Sequence, residues 1–126
     1  MRYLRRGKHV SKVKKAAEYN CPVEATLAVL GGRWKALILF HLRDQTLRFA
    51  QLRRKIPGVS ERMLTQQLRE LEGAGVVRRE VHAEVPPRVE YSLSDYGQTL
   101  RPITDLMCAW GKAHMKRNDD GSGDRC

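Results

Sequence analysis

The amino-acid sequence predicts a mainly α-helical domain with a small β-hairpin. Apolar residues recur at helical spacing in the first half of the chain, as at Val23, Leu27 and Leu30, and then switch near Val77 to the alternation typical of β-strands. A last segment near the C-terminus returns to helical spacing. The chain of 126 residues is long enough for one domain with its own core, which we place at residues 21–117.

Two helices are predicted before Asp44. Pro22 suits the first helical position of helix one, and Gly31-Gly32 ends that helix. The second helix, within residues 33–42, is apolar over much of its circumference, so we expect it in the centre of the core. Residues 44–48 are interpreted as a polar break.

A helix-turn-helix follows this break. A short third helix is marked by Phe49, Leu52 and Ile56 and ended by Pro57-Gly58. Ser60 then provides a helix N-cap for a fourth helix that runs to Glu72. Three leucines at helical spacing line one face of this fourth helix: Leu64, Leu68 and Leu71. Two helices joined by a tight turn that contains glycine are typical of a helix-turn-helix.

A two-stranded hairpin is predicted directly after the fourth helix. Residues 76–81 and 89–93 alternate apolar and polar side chains, and the seven residues between them include Pro86-Pro87. A long loop of this kind is called a wing, so the predicted architecture is a winged helix-turn-helix. One long helix, introduced by residues 94–97, is predicted to complete the chain.

The charge of the chain favours an acidic polymer as its partner. Lysine and arginine number 24 against 14 acidic residues, a net charge of +10, and residues 1–20 are predicted to form a basic flexible arm. This arm suits phosphate binding, but a solubilising tail has the same composition. Residues 118–126 are small and polar and are predicted to be a disordered tail. Without a long apolar run or a signal peptide, we expect a cytoplasmic protein.

The polar face of the fourth helix is the predicted DNA-reading surface. Arg62, Thr65, Gln66 and Arg69 lie opposite the leucines, and such side chains hydrogen-bond to base edges and phosphates. A solvated helix shows a similar face, but the tight turn before it and the wing after it favour DNA binding. Glu61 either accepts from cytosine or favours the positive end of the helix. The full set of predicted DNA-binding residues is Arg48, Ser60, Arg62, Thr65, Gln66, Arg69 and Arg88.

The chain resembles the HxlR-type winged helix-turn-helix regulators of bacteria. The resemblance covers about residues 21–111 in four ordered motifs: CPVEATLAVLGGRWKALILFHL, LRFAQLRRKIPGVSERMLTQQLRELEGAGVV, EVPPRVEYSLSDYGQTL and the late Trp110-Gly111 pair. It implies a homodimer that binds a palindromic operator, with repression as the family default. It also implies that the first and last helices form the dimer interface.

One apolar stripe of the last helix agrees with this implied dimer. A small domain need not bury such a stripe within one subunit, although packing inside the subunit is the alternative. The predicted interface residues are Leu100, Ile103, Leu106, Met107 and Trp110.

Cys21 is the candidate signal-sensing residue. Members of the family often carry a cysteine just before the first helix, and some use it to sense oxidants or electrophiles. A thiol at a helix N-terminus near basic residues presents more of the reactive thiolate, although a buried structural cysteine is the alternative. Cys108 lies among apolar residues and is expected in the core rather than as a sensor. Cys126, in the tail, is either a partner that forms a disulfide with an oxidised Cys21 or a dispensable end residue.

Two other classes of function compete with a DNA-binding regulator. A winged helix that binds protein or structured RNA also suits the basic arm, and a sequence-blind binding curve would favour it. An enzyme is not expected, because no nucleophile motif or phosphate loop is present and the four histidines lack metal-ligand spacing. The sequence therefore predicts no catalytic residues, no cofactor and no metal ligands.

Overall fold

The computed structural model of the chain describes residues 14–118. Most of the predicted basic arm and nearly all of the predicted disordered tail, including Cys126, lie outside the described residues. The elements, after a short 3-10 helix at Ala16–Glu18, are α1 (Pro22–Leu30), α2 (Lys35–His41), β1 (Leu47–Arg48), α3 (Phe49–Lys55), α4 (Glu61–Gly73), β2 (Val77–His82), β3 (Arg88–Leu93), α5 (Asp95–Gln98) and α6 (Arg101–Arg117). The predicted mainly α-helical fold with a small β-sheet is confirmed.

The core lies between α2, α3 and α4. Ile38 and Leu39 of α2 are at most 1% exposed, so the expectation of a central second helix is confirmed. The three leucines of α4 are at most 2% exposed, and Leu52 of α3 is fully buried against them. This shared apolar core stabilises the helix-turn-helix, because burying each large aliphatic side chain contributes about 1.5–3 kcal/mol.

The sheet has three strands rather than the predicted two. β3 lies between β2 and β1, antiparallel to both, and Leu47 and Arg48 pair with Tyr91 and Glu90. Interpreting residues 44–48 as a polar break was therefore wrong at its last two positions. A two-residue strand is too short to show the alternation of apolar and polar residues by which a strand is predicted. Leu47 is nevertheless part of the core, because its side chain is only 5% exposed.

The last predicted helix is divided into α5 and α6. Ser94 caps α5 through its hydroxyl, which accepts from the Gly97 amide at 2.9 Å and donates to the Gly75 carbonyl at 2.6 Å. α6 begins afresh at Arg101 with Pro102 in its first turn. A continuous helix is excluded because Pro102 has no amide hydrogen and its ring would clash with the carbonyl four residues earlier.

α1 and α6 leave apolar side chains uncovered. Both helices pack against α2. The exposed apolar side chains of the two helices are Val23, Leu27, Ile103, Leu106, Met107 and Trp110. No helix in the described part of the chain is long and apolar enough to cross a membrane.

Candidate nucleic-acid interface

The turn between α3 and α4 presents the candidate reading helix. Gly58 adopts φ = +94°, a conformation that favours glycine, and the Arg53 side chain donates to the Val59 carbonyl at 3.2 Å. The Ser60 hydroxyl then accepts from the Met63 amide at 3.0 Å and caps α4. This hydroxyl is engaged within the helix, so the structure gives Ser60 a capping role.

Four of the seven predicted DNA-binding residues lie together on the outer surface of α4. Glu61, Arg62, Thr65, Gln66 and Arg69 line one open depression, on the side away from the buried leucines. Gln66 and both arginines are exposed. The arrangement offers two cations, a primary amide and a hydroxyl along about two helical turns, which suits both phosphates and base edges.

A chain of polar contacts orients Gln66. Its amide nitrogen donates to one carboxylate oxygen of Glu70 at 3.2 Å, and the other oxygen of Glu70 pairs with the Lys35 ammonium at 2.6 Å. The side chains of Lys35 and Glu70 are each only 16% exposed, so α2 holds Glu70 in place. One N–H and the carbonyl oxygen of the Gln66 amide remain available to a ligand.

Thr65 is constrained in a similar way. Its hydroxyl donates to the Glu61 carbonyl at 2.9 Å, one turn earlier in the helix. The single hydroxyl hydrogen is therefore used, and Thr65 can offer a ligand only its oxygen lone pairs and its methyl group.

Arg48 and Arg88 lie on the sheet rather than on α4. Arg48 is exposed at the start of α3, where its backbone amide donates to the Gln51 side chain at 2.8 Å. Arg88 pairs with Glu84 at 3.2 Å and with Glu90 at 3.4 Å. The charge of Arg88 is thus met within the wing by Glu84, four residues before it, and by Glu90, two residues later on the same face of β3. Sequence reasoning missed this pairing, although the two-residue spacing of Arg88 and Glu90 was its signal.

Sequence reasoning also missed the surroundings of His82. Its Nε2 lies 2.8 Å from a carboxylate oxygen of Glu90, and Glu80 is close to both. The signal present in the sequence was the Glu-x-His spacing, which places residues 80 and 82 on one face of a strand.

Cys21 lies at the N-cap of α1, as expected. Its thiol is exposed and free, so the alternative of a buried structural cysteine is wrong for this residue. Of the five predicted dimer residues, Leu100 instead packs against the core of its own subunit. The other four are 38–69% exposed, and Leu106 and Trp110 are the most open.

Known proteins resemble the chain over most of its length. A family model described as HxlR-like helix-turn-helix matches residues 29–119. The uncharacterized HTH-type transcriptional regulator YtcD of Bacillus subtilis (strain 168) is 53% identical over 100 residues, which are 79% of each chain.

Solved structures agree in sequence and in fold. The redox regulator HypR in its reduced form is 48% identical, with a TM-score of 0.75 over 79% of this chain and 98% of HypR. The reduced form of the transcriptional regulator YodB from B. subtilis is 37% identical, with a TM-score of 0.65 over 75% of this chain and 93% of YodB. The chain is therefore a helix-turn-helix transcriptional regulator that belongs to the HxlR-like family.

Proposed function

We propose that this regulator binds a palindromic DNA operator as a homodimer, acts as a repressor and is released when Cys21 is oxidised or modified by an electrophile. The observation that supports DNA reading most directly is the outer surface of α4, where Arg62, Thr65, Gln66 and Arg69 are gathered opposite the buried leucines. The major groove is about 12 Å wide and admits one α-helix. α4 is the helix that the fold presents for it.

Gln66 and the two arginines suit different parts of the DNA. The remaining N–H and carbonyl oxygen of Gln66 match N7 and N6 of adenine, while Glu70 holds the second N–H. Arg62 and Arg69 suit guanine or the flanking phosphates. The Thr65 methyl suits the methyl group of thymine. A regulator that acts on the chromosome in this way works in the cytoplasm without a membrane partner.

The positive charge that the wing offers to DNA is smaller than its number of arginines would suggest. Arg78 and Arg79 are exposed on β2, but Arg88 already has two carboxylate partners. We expect the wing to lie along the backbone beside the major-groove contact and to add affinity without sequence preference.

Selection of bound fragments from the source genome tests the operator. Full-length protein should enrich a short palindrome whose half-sites lie about one helical turn apart, roughly 34–36 Å. Binding that depends on salt but is equal for all fragments would contradict the proposal and favour a sequence-blind interaction module.

The uncovered faces of α1 and α6 support the homodimer. Leu106 and Trp110 are 69% and 68% exposed, and Val23 and Leu27 of α1 are 62% and 59% exposed. Exposed apolar side chains concentrated on two helices are typical of an interface between subunits. Two copies joined there would present two α4 helices to two half-sites.

Sedimentation equilibrium at micromolar concentration tests the dimer. The wild-type chain should sediment as a dimer and Leu106→Lys as a monomer. Val85→Lys is the matched control, because Val85 is fully exposed at the tip of the wing and lies outside both helices. A monomeric wild-type chain, or a dimeric Leu106→Lys variant, would contradict the assignment.

The exposed thiol of Cys21 supports redox control. It lies one residue before α1, next to the proposed interface, so a bulky or charged modification there would alter the spacing of the two reading helices. HypR, a redox regulator, has been solved in reduced and oxidised forms, and YodB in a diamide-treated form. Diamide or a quinone should release DNA from the wild-type protein and not from Cys21→Ser. Equal release from both would refute sensing by this thiol.

A further inference from the structure

Three potential metal ligands meet on one face of the wing. Glu80 and Glu90 are directly opposite each other in the β2–β3 ladder, and His82 is two residues from Glu80 on the same face. One ligand atom from each residue lies within 4.8 Å of the others, and His82 Nε2 is 2.8 Å from Glu90 Oε1. The side chains of His82 and Glu90 are 28% and 27% exposed, while Glu80 is 54% exposed.

The charges on this face are incompletely matched by the protein. Like charges directly opposite in a sheet destabilise it, and a third carboxylate, Glu84, is close by. Arg88 lies 3.2 Å from Glu84, but its contact with Glu90 is made by a buried Nε at 3.4 Å and is not a hydrogen bond. Arg78 is 3.7 Å from Glu80, beyond hydrogen-bond range. Two arginines thus lie beside three carboxylates on this face of the wing.

We propose that Glu80, His82 and Glu90 bind one divalent transition-metal ion of the Zn²⁺ class. An imidazole nitrogen with carboxylate oxygens is a ligand set that Zn²⁺ accepts, and the exposed side of the cluster leaves the fourth position to water. Ligand atoms around a tetrahedral Zn²⁺ are separated by roughly 3.4 Å, so small side-chain rotations close the site. The imidazole favours this class over Mg²⁺ and Ca²⁺, which prefer oxygen ligands alone.

Binding at this site also changes the pairing of Arg88. Glu90 contacts both His82 and Arg88, and a metal that takes the Glu90 carboxylate leaves Glu84 as the other carboxylate beside Arg88. The site itself requires only the wing and does not depend on operator binding.

Titration of the full-length, reduced protein with Zn²⁺ by calorimetry tests the site without DNA. Thiols also bind Zn²⁺, so all proteins carry Cys21→Ser, and Co²⁺ absorption spectra identify any thiolate ligation at the other cysteines. The parent protein should bind one Zn²⁺ per chain through nitrogen and oxygen ligands. His82→Asn and Glu90→Gln should each weaken binding by at least about tenfold, since even outer-shell changes cost 10–100-fold.

Two control variants separate this site from general surface binding. Glu61→Gln removes an exposed carboxylate of α4 outside the cluster, and His114→Asn removes an exposed histidine of α6. Both should keep the parent affinity, and circular dichroism should show the same fold in all variants. Absence of Zn²⁺ binding by the parent protein would overturn the proposal. So would His82→Asn and Glu90→Gln variants that bind Zn²⁺ with the same affinity as the parent protein. Glu80→Gln gives a third test at the most exposed ligand, with the same expected loss.

Discussion

Gly97→Ala probes the place where the wing joins α5. A methyl group on Gly97 would lie 2.9 Å from the carbonyl carbon of Val76 and would clash with its oxygen. That oxygen accepts from the Ser94 amide at 3.1 Å, and Val76 is 1% exposed, so the peptide has little room to move. Overpacking costs about 1–3 kcal/mol of folding stability and a lost hydrogen bond about 1 kcal/mol. Alanine also lowers the conformational entropy of the unfolded chain, which offsets about 0.4–1 kcal/mol of this loss.

The free energy of unfolding of Gly97→Ala should therefore fall by about 2 kcal/mol, which lowers Tm by roughly 8 °C in a domain of this size. Calorimetry at one fixed protein concentration measures it, because dimerisation makes Tm depend on concentration. Gly111→Ala is the control: the added methyl group meets nothing within 4 Å, and an alanine inside α6 should stabilise the helix by about 1 kcal/mol. An unchanged or raised Tm for Gly97→Ala would refute the close approach of α5 to the Val76 carbonyl, just before β2.

Three further substitutions test single contacts. Lys35→Met should destabilise the protein by about 1–3 kcal/mol in urea unfolding, because it leaves a carboxylate that is 16% exposed without its cation; a smaller loss would mean that Glu70 is solvated. Ser60→Ala should cost about 1 kcal/mol through the lost cap of α4, and no change in the urea midpoint would contradict the cap. Burial raises the pKa of Glu72, an effect that the charge of Arg79 partly offsets, so ionisation at neutral pH opposes folding. Glu72→Gln should therefore raise Tm at pH 7 and lose this advantage below about pH 4, where the unfolded carboxyl is also protonated, and a Tm difference independent of pH would contradict it.

The elements that the sequence predicts well have a long, regular pattern. In α4, Ser60 supplies the cap and the leucines at 64, 68 and 71 supply the period, so both its start and its buried face follow from local chemistry. β1 is not predictable in this way, because two residues have no period and the pairing of Arg48 with Glu90 joins positions far apart in the chain.

The same limit applies to the candidate site. The reading face of α4 follows from helical geometry alone, since its members are neighbours along one helix. The contact that modifies it is long-range, because Lys35 of α2 holds the Glu70 carboxylate that accepts from Gln66. The break between α5 and α6, in contrast, had a local signal in the sequence, because Pro102 favours the first turn of a new helix.

Operator preference of α4 variants is the most direct test of DNA reading by this helix. Fluorescence anisotropy at fixed salt compares the Kd for the selected operator with that for a shuffled duplex of equal length. Gln66→Ala and Arg69→Ala should each lower the preference by about 5- to 150-fold, the worth of one base contact of about 1–3 kcal/mol. Arg88→Ala should weaken both duplexes alike, and Gln67→Ala, on the same helix but outside the reading face, should leave the preference unchanged. An unchanged preference in Gln66→Ala and Arg69→Ala would contradict α4 as the recognition helix.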